Sequence, residues 1–195
     1  MNESDLIGRM IDLAAERIAA HADELTALDQ AIGDGDHGDN MRRGFAAMAE
    51  ERDTIAALPL SEALKKAGMV LVMKVGGASG PLYGSALMAM GKAGGTDPCA
   101  LIDAAIDAVK ARGKSDTGAK TMLDVLAPVR DAVAAGATPA AVADAADAAA
   151  EATIPMRATK GRAAYLGERS IGHVDPGARS SAIIVRAVCE VLEES

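Results

Sequence analysis

Alanine and short aliphatic side chains recur at helical spacing along almost the whole of this chain, and no segment alternates with the two-residue period of a strand. Alanine is the strongest helix former, and few β-branched runs compete with it. The chain is therefore expected to be all-α. Residues 4–21 carry Leu6, Ile7, Met10, Ile11, Ala14 and Ile18 on one face behind Ser4, and 22–31 follows with Leu25 and Leu28, then Ile32. A third helix is expected over 39–57, with Met41, Phe45, Met48 and Ile55. Pro59 and Ser61 open a fourth that closes at Gly76-Gly77, and Ser79 with Pro81 opens a fifth that closes at Gly94-Gly95. Asp97-Pro98 supplies an N-cap and a first-turn proline for a sixth, ended by Gly113. A seventh is expected over about 118–135 with a kink at Pro128. Thr138-Pro139 opens the eighth, and the last covers about 178–193.

With 195 residues, half of them apolar, and no linker-like stretch, the expectation is one domain over 1–195. A net charge of −8 without a basic stripe argues against a nucleic-acid partner. The longest apolar runs, such as MVLVM, are too short to cross a bilayer, and the start MNESDLIGRM is acidic, unlike a signal peptide. A cytoplasmic location is expected, with no membrane association. Cys99 and Cys189 lack CxxC spacing and are read as buried, reduced thiols.

The glycines gather in four stretches between helices: IGDGDHG, GGASGPLYG, RGKSDTGAKTM and KGRAAYLGERSIGHVDPGA. Helix capping accounts for single glycines such as Gly136. Clusters flanked by Ser, Thr, Asp and Lys, opening onto helix N-termini, suit anions, because free N–H groups and the helix dipole point the same way. Ser79 is placed to cap a helix and donate to a phosphate. The first stretch also brings Asp29, Asp34, Asp36 and Asp39 close together. Crowded carboxylates repel and need a counter-charge.

Two motif matches in that stretch fail on context. Gly33-x-Gly35-x-x-Gly38 fits a dinucleotide fingerprint, but no strand precedes it, and Asp34 and Asp36 would face the pyrophosphate. Asp34-x-Asp36 resembles the start of a calcium loop but lacks the turn glycine and the closing glutamate, with Phe45 in its place. What remains is an Asp-Gly-Asp turn following a helix-borne Asp29. Its hard oxygen donors suit Mg²⁺, which shares itself with phosphates. The metal would neutralise the aspartates and carry a nucleotide's phosphates. With only Phe45, Tyr83, Tyr165 and no Trp, a purine would lie against aliphatic side chains and methionine.

In this order along the chain, LDQAIGDGDHGDNMRRGF, GGASGPLYGSALM, RGKSDTGAKTMLDVLAP and GRAAYLGERSIGHVDPGARSSAI resemble the nucleotide-binding L subunit of dihydroxyacetone kinase. The resemblance covers nearly the whole sequence. It implies a closed barrel of about eight antiparallel amphipathic helices, with the nucleotide site in loops at one rim. It implies two Mg²⁺ ions at Asp29, Asp34 and Asp36. Phosphates of ADP or ATP would meet His37, Gly38, Asp39 and Asn40, and from the second loop Ala78, Ser79 and Gly80. Gly113, Thr121 and Met122 would line the adenine side. Arg162 and the Asp175-Pro176-Gly177 turn would close the pocket. Ala119 stands where relatives usually carry an acidic residue. Arg179 is larger than usual and is read as a solvated surface residue ahead of an extra phosphate contact. Lys120 and Lys160 are read as surface lysines ahead of phosphate ligands, and His21 as structural. His37 is read as a phosphate donor rather than a base.

The same resemblance implies a phosphotransferase subunit acting on an alcohol group of a short ketose. A separate K subunit would hold dihydroxyacetone covalently. Bound ADP would act as a cofactor, rephosphorylated in place by a phosphohistidine on an M subunit in a phosphoenolpyruvate-dependent system. An ATP-dependent kinase of dihydroxyacetone or a tetrulose, with exchangeable ATP, is the alternative. A nucleotide-sensing regulator that binds a partner protein is the alternative of another class. A homodimer is the expected assembly. Catalysis would consist of positioning and charge neutralisation, with no general base assigned.

Overall fold

The structure, a computed structural model, describes residues 2–195. Among these residues the chain forms ten α-helices, one 3₁₀ segment and no strand, so the all-α expectation holds. The helices are α1 (Glu3–Ala20), α2 (Ala22–Ile32), α3 (His37–Glu50), α4 (Arg52–Ala56), α5 (Leu60–Lys74) and α6 (Ser79–Ala93). They continue as α7 (Pro98–Gly113), α8 (Leu123–Ala134), α9 (Pro139–Glu151) and α10 (Pro176–Glu193), with the 3₁₀ segment over Arg162–Ser170.

Capping chemistry sets most helix starts. Asp97, Thr138 and Asp175 each precede a proline and accept a backbone N–H from Cys99, Ala141 and Ala178, respectively. The last helix therefore begins at Pro176, ahead of the expected residue 178. Asn2 rather than Ser4 caps α1, accepting from the Asp5 amide. The expected third helix is two: the chain turns at Glu51, and the short α4 lays Ile55 and Ala56 into the core. The expected seventh helix starts five residues late, at Leu123. Gly118 and Lys120 have φ of +82° and +63°, and the Asp124 carboxylate accepts from the Gly118 and Thr121 amides. That stretch is held as a loop. Pro128 sits inside α8 without ending it.

Neighbour packing closes eight of the helices into a ring. Its order is α1, α3, α5, α6, α7, α8, α9 and α10, which returns to α1. Outside it, α2 lies against α3, α10 and the 3₁₀ segment, while α4 lies against α1 and α5. The larger core cluster includes Ile18, Leu25, Met41, Phe45, Ile55, Leu71, Val109 and Leu123. A second, built on Val125, Val142, Ala146, Ala150 and Ala182, joins α8, α9 and α10. Small residues let helices approach closely: a Cβ at Gly68 of α5 would lie 2.7 Å from the Gly84 carbonyl oxygen of α6. Among the described residues no helix is long and apolar enough to cross a membrane.

Candidate functional site

Four connections meet at one end of the ring: 33–36 between α2 and α3, 75–78 between α5 and α6, 114–122 between α7 and α8, and 152–175 between α9 and α10. Residues from all four line a single pocket.

Asp29 anchors its acidic side. Near the end of α2 and buried, its Oδ2 accepts from the backbone N–H groups of Asp36 (2.9 Å) and His37 (3.1 Å), which fixes the entry into α3. Gly33 is required by this packing, since a Cβ there would lie 2.0 Å from Asp29 Oδ1. Asp34 and Asp36 are exposed, and one carboxylate oxygen from each of Asp29, Asp34 and Asp36 falls within 4.8 Å of the others. Arg162 places a guanidinium nitrogen 3.0 Å from Asp34 Oδ2. Three hard oxygen donors, one prefixed by backbone N–H groups and two open to the pocket, fit Mg²⁺, which keeps coordination positions for phosphate oxygens and water.

A buried polar chain runs beneath the pocket. His37 Nδ1 lies 3.0 Å from Ser79 Oγ, and its Nε2 lies 2.8 Å from Ser180 Oγ. Ser79 therefore does not cap α6 but hydrogen-bonds the imidazole. Burial lowers the His37 pKa, against the opposing pull of Asp29 and Asp36. Tyr83 continues the chain: its hydroxyl meets Ser180 Oγ and Ser181 Oγ at 2.8 Å each and donates to the Gly177 carbonyl at 3.1 Å. Burial pushes the phenol up to about 12. Tyr83, Ser180 and Ser181 escaped sequence reasoning, because no motif spacing links them to His37.

The lining includes Asp29, Asp34, Asp36, His37, Ala78, Ser79, Thr121, Met122, Arg162, Asp175, Pro176 and Gly177, and adds Leu82, Tyr83 and Lys160. Asp39, Asn40, Gly38, Gly80 and Gly113 are not among the lining residues. Asp39 turns to solvent and pairs with Arg42 at 2.6 Å. Asn40 is buried and accepts from Arg43 at 2.7 Å. Gly38 and Gly80 are sites of close backbone approach, where a Cβ would lie 1.9 Å from the Ala22 carbonyl oxygen and 2.3 Å from that of Val75. Gly113 ends α7 beside Leu82, one layer behind the lining.

Three side chains correct the sequence reading. Lys120 is not a surface lysine: it is 1% exposed, and its ammonium donates to backbone carbonyls of the 152–175 connection. Arg179 is neither solvated nor in the pocket lining: it pairs with Glu24 at 2.6 Å and Asp147 at 3.3 Å. Cys99 is only half-buried, while Cys189 is buried; both are free thiols. His21 is structural as expected, its Nδ1 lying 2.8 Å from the Arg17 carbonyl oxygen. Asp175 caps α10 from a buried position, and loss of solvent pushes its carboxyl up to about 7, against the pull of the Ala178 amide and Lys120.

The family model described as the DAK2 domain matches residues 31–190. The chain is 43% identical over 194 residues to the ADP-binding subunit DhaL of PEP-dependent dihydroxyacetone kinase 1 from Listeria innocua, covering 96% of each chain. It is 44% identical over 179 residues to the ADP-binding subunit DhaL of the PTS-dependent dihydroxyacetone kinase of Lactococcus lactis, covering 91% of this chain and 92% of that one. Among solved structures, the dihydroxyacetone kinase of C. freundii in complex with AMP-PNP and Mg²⁺ matches with a TM-score of 0.77 and 26% identity. That match covers 95% of this chain, which spans 34% of the longer kinase chain.

Proposed function

The chain belongs to the DAK2-domain family, and from that premise we propose that it is the ADP-binding subunit of a dihydroxyacetone kinase. It would present a Mg-nucleotide to dihydroxyacetone held on a separate K subunit. The observation that carries this reading is the convergence of Asp29, Asp34 and Asp36 in one pocket with the loops at 78–79 and 121–122.

Asp29, Asp34 and Asp36 would hold the metal, two Mg²⁺ ions in this proposal. Bound Mg²⁺ would neutralise charge on the phosphates and on the transferring group. The protein's own residues do the rest by positioning, the main content of phosphoryl transfer. The start of α6 offers free backbone N–H groups and the positive end of a helix dipole to an anion. Arg162, exposed at the pocket mouth, can exchange Asp34 for a phosphate oxygen. Met122 and Leu82 supply an apolar wall for adenine. His37, hydrogen-bonded to two serines, orients Ser79 and is not assigned as a base.

ADP would remain bound as a cofactor and be rephosphorylated in place by a phosphohistidine-carrying M subunit. The PEP- and PTS-dependent systems named for the two bacterial relatives support this choice of donor. The test is to denature the purified, Mg-loaded protein and identify the released nucleotide, then chase labelled ADP and assay turnover with a K subunit. ADP that leaves slowly, with turnover only when the phosphohistidine relay is present, is expected. Rapid release with sustained turnover on ATP alone would establish the ATP-dependent kinase instead. Failure to bind Mg-ADP in titration would reject the nucleotide site.

A further inference from the structure

Lys120 presents an unusual arrangement for a lysine. It is among the largest fully buried side chains of the protein, and it adopts a left-handed backbone conformation, with φ +63°. A non-glycine residue there is strained, and such strain persists only where surrounding contacts enforce it. The enforcing contacts are carbonyl oxygens. The Nζ lies 2.9 Å from Thr153 O, 3.1 Å from Met156 O, 2.7 Å from Ser170 O and 2.6 Å from His173 O, with Ile154 O at 3.4 Å. Three ammonium hydrogens are shared among five oxygens, which replace the water shell of the charge. The acidic group that acts on it is Asp175.

The placement of these oxygens matters more than their number. All belong to the connection between α9 and α10, and they come from both its ends: 153–156, where the chain leaves α9, and 170–173, where it returns toward α10. Between them runs the strap 157–169, which carries Arg162 over the aspartates. The strap's own apolar anchorage is small: Ala158 and Ala163 against Ile32, with Leu166 alongside. Directly after Lys120 in sequence come Thr121 and Met122, which line the pocket together with Arg162 of the strap. One ammonium thus ties both ends of the strap to the 114–122 connection.

We propose that Lys120 is a positioning residue: an internal ammonium, standing where a bound monovalent cation would otherwise sit, that closes the base of the 157–169 strap and thereby sets Arg162 over Asp34. Its effect on ADP rests on the nucleotide reading given above. The tether itself does not, and it is measurable without nucleotide.

The experiment compares wild type, K120M and K120A by hydrogen exchange in the nucleotide-free state. Methionine keeps the stem and removes the charge, so the Met156, Ser170 and His173 carbonyls lose their ammonium partner, while those of Thr153 and Ile154 keep a backbone N–H. Alanine empties the cage. Exchange across 157–169 should accelerate roughly tenfold or more in both variants, as expected when even one buried polar group loses its partner, while α5 and α6 keep their protection. Ammonium or potassium ions should restore protection in K120A but not in K120M, whose side chain fills the cage. Tetramethylammonium, too large and without hydrogens to donate, should restore neither. In the Mg-loaded protein, ADP should leave faster from both variants, and ammonium should slow its release from K120A.

Unchanged strap protection in K120M would overturn the tether. Failure of ammonium and potassium to rescue a folded K120A would overturn the cation role. If both variants unfold, the wild type decides: a caged ammonium gives an Nζ-hydrogen NMR signal that exchanges slowly with water, and its absence would overturn the proposal. Wild-type protein that shows the caged signal but binds no Mg-ADP would leave the tether standing and reject the nucleotide reading alone.

Discussion

Arg162 and Asp34 face each other across the pocket mouth, a guanidinium nitrogen 3.0 Å from a carboxylate oxygen, and so join the strap to the Asp-Gly-Asp turn. Their side chains are 69% and 36% exposed, so the pair is worth at most about 1 kcal/mol and opens easily. On the proposed reading, a metal at the aspartates would compete with Arg162 for Asp34, while a phosphate would compete with Asp34 for Arg162. The two displacements would support each other, and bound Mg-nucleotide would satisfy both partners at once.

Replacing Arg162 with glutamine should therefore act in opposite directions on two ligands. Mg²⁺ alone should bind the nucleotide-free protein a few-fold more tightly, roughly fivefold at most given the modest strength of an exposed pair. Mg-ADP should bind about tenfold more weakly, through loss of a charge-assisted hydrogen bond. Titration calorimetry with each ligand separates the effects; parallel changes would mean that Arg162 does not move between Asp34 and phosphate.

The aspartates should not be equivalent once metal is absent. D34N and D36N should each weaken Mg-ADP by about tenfold or more, the loss of one anionic ligand. In chelator, D36N should melt higher than wild type, because repulsion falls and no ion pair of Asp36 exists among the described residues. D34N should gain less or nothing, because it also deprives Arg162 of its partner. Thermal scans with and without Mg-ADP test both statements, and unchanged Mg-ADP binding in both variants would remove the three-carboxylate site.

Met122 belongs to the main core cluster as well as to the pocket wall. M122A should cost about 2–4 kcal/mol of stability, as a buried large-to-small change does, and weaken ADP a few-fold with the metal requirement intact. M122L, which conserves volume, should cost under about 1.5 kcal/mol. If the nucleotide-induced rise in melting temperature of M122A equals that of wild type, Met122 serves only the core.

Asp175 should give the protein a pH-dependent stability term. Burial lifts its carboxyl from 3.8 to about 7, with Ala178 and Lys120 pulling the other way. The folded chain then keeps a proton that the unfolded chain releases. The stability from this group is full below about pH 4, falls as pH rises, and levels off above about 7. D175N keeps an oxygen to accept the Ala178 amide but does not ionise. Its stability relative to wild type should rise between about pH 4 and 7, by ~2–4 kcal/mol, and then stay constant. Denaturant unfolding of both proteins across that range checks the sign; a difference that does not vary with pH would mean an ordinary carboxylate.

The helices were legible where their signals are local. Asp97-Pro98 and Thr138-Pro139 read correctly because a cap and its proline are adjacent in sequence. The proximity of Asp29, Asp34 and Asp36 was legible because a helix end and the turn after it hold all three, whereas Asp39, grouped with them, turns to Arg42. What escaped was long-range. His37 meets Ser180 143 positions away, and Tyr83 meets the same serine across 97. Lys120 looked like any lysine beside a glycine loop, since its burial depends on carbonyl oxygens from 153 to 173, and backbone groups leave no mark on a sequence. The late start of α8 has a related cause: the Asp124 side chain turns back to hold Gly118 and Thr121 in a loop that composition alone would let coil.

A pocket that takes its residues from Asp29 through Gly177 exists only when the ring has closed, with α10 seated between α9 and α1. On the proposed reading, a partial fold would lack part of the nucleotide's site, and occupancy would become a certificate of complete assembly. Ligand at a hundred times its dissociation constant adds about 2.7 kcal/mol to the closed chain and nothing to an open one. Charged and empty subunits would thus differ in survival as well as chemistry, the empty one opening more often and being the first cut by a protease.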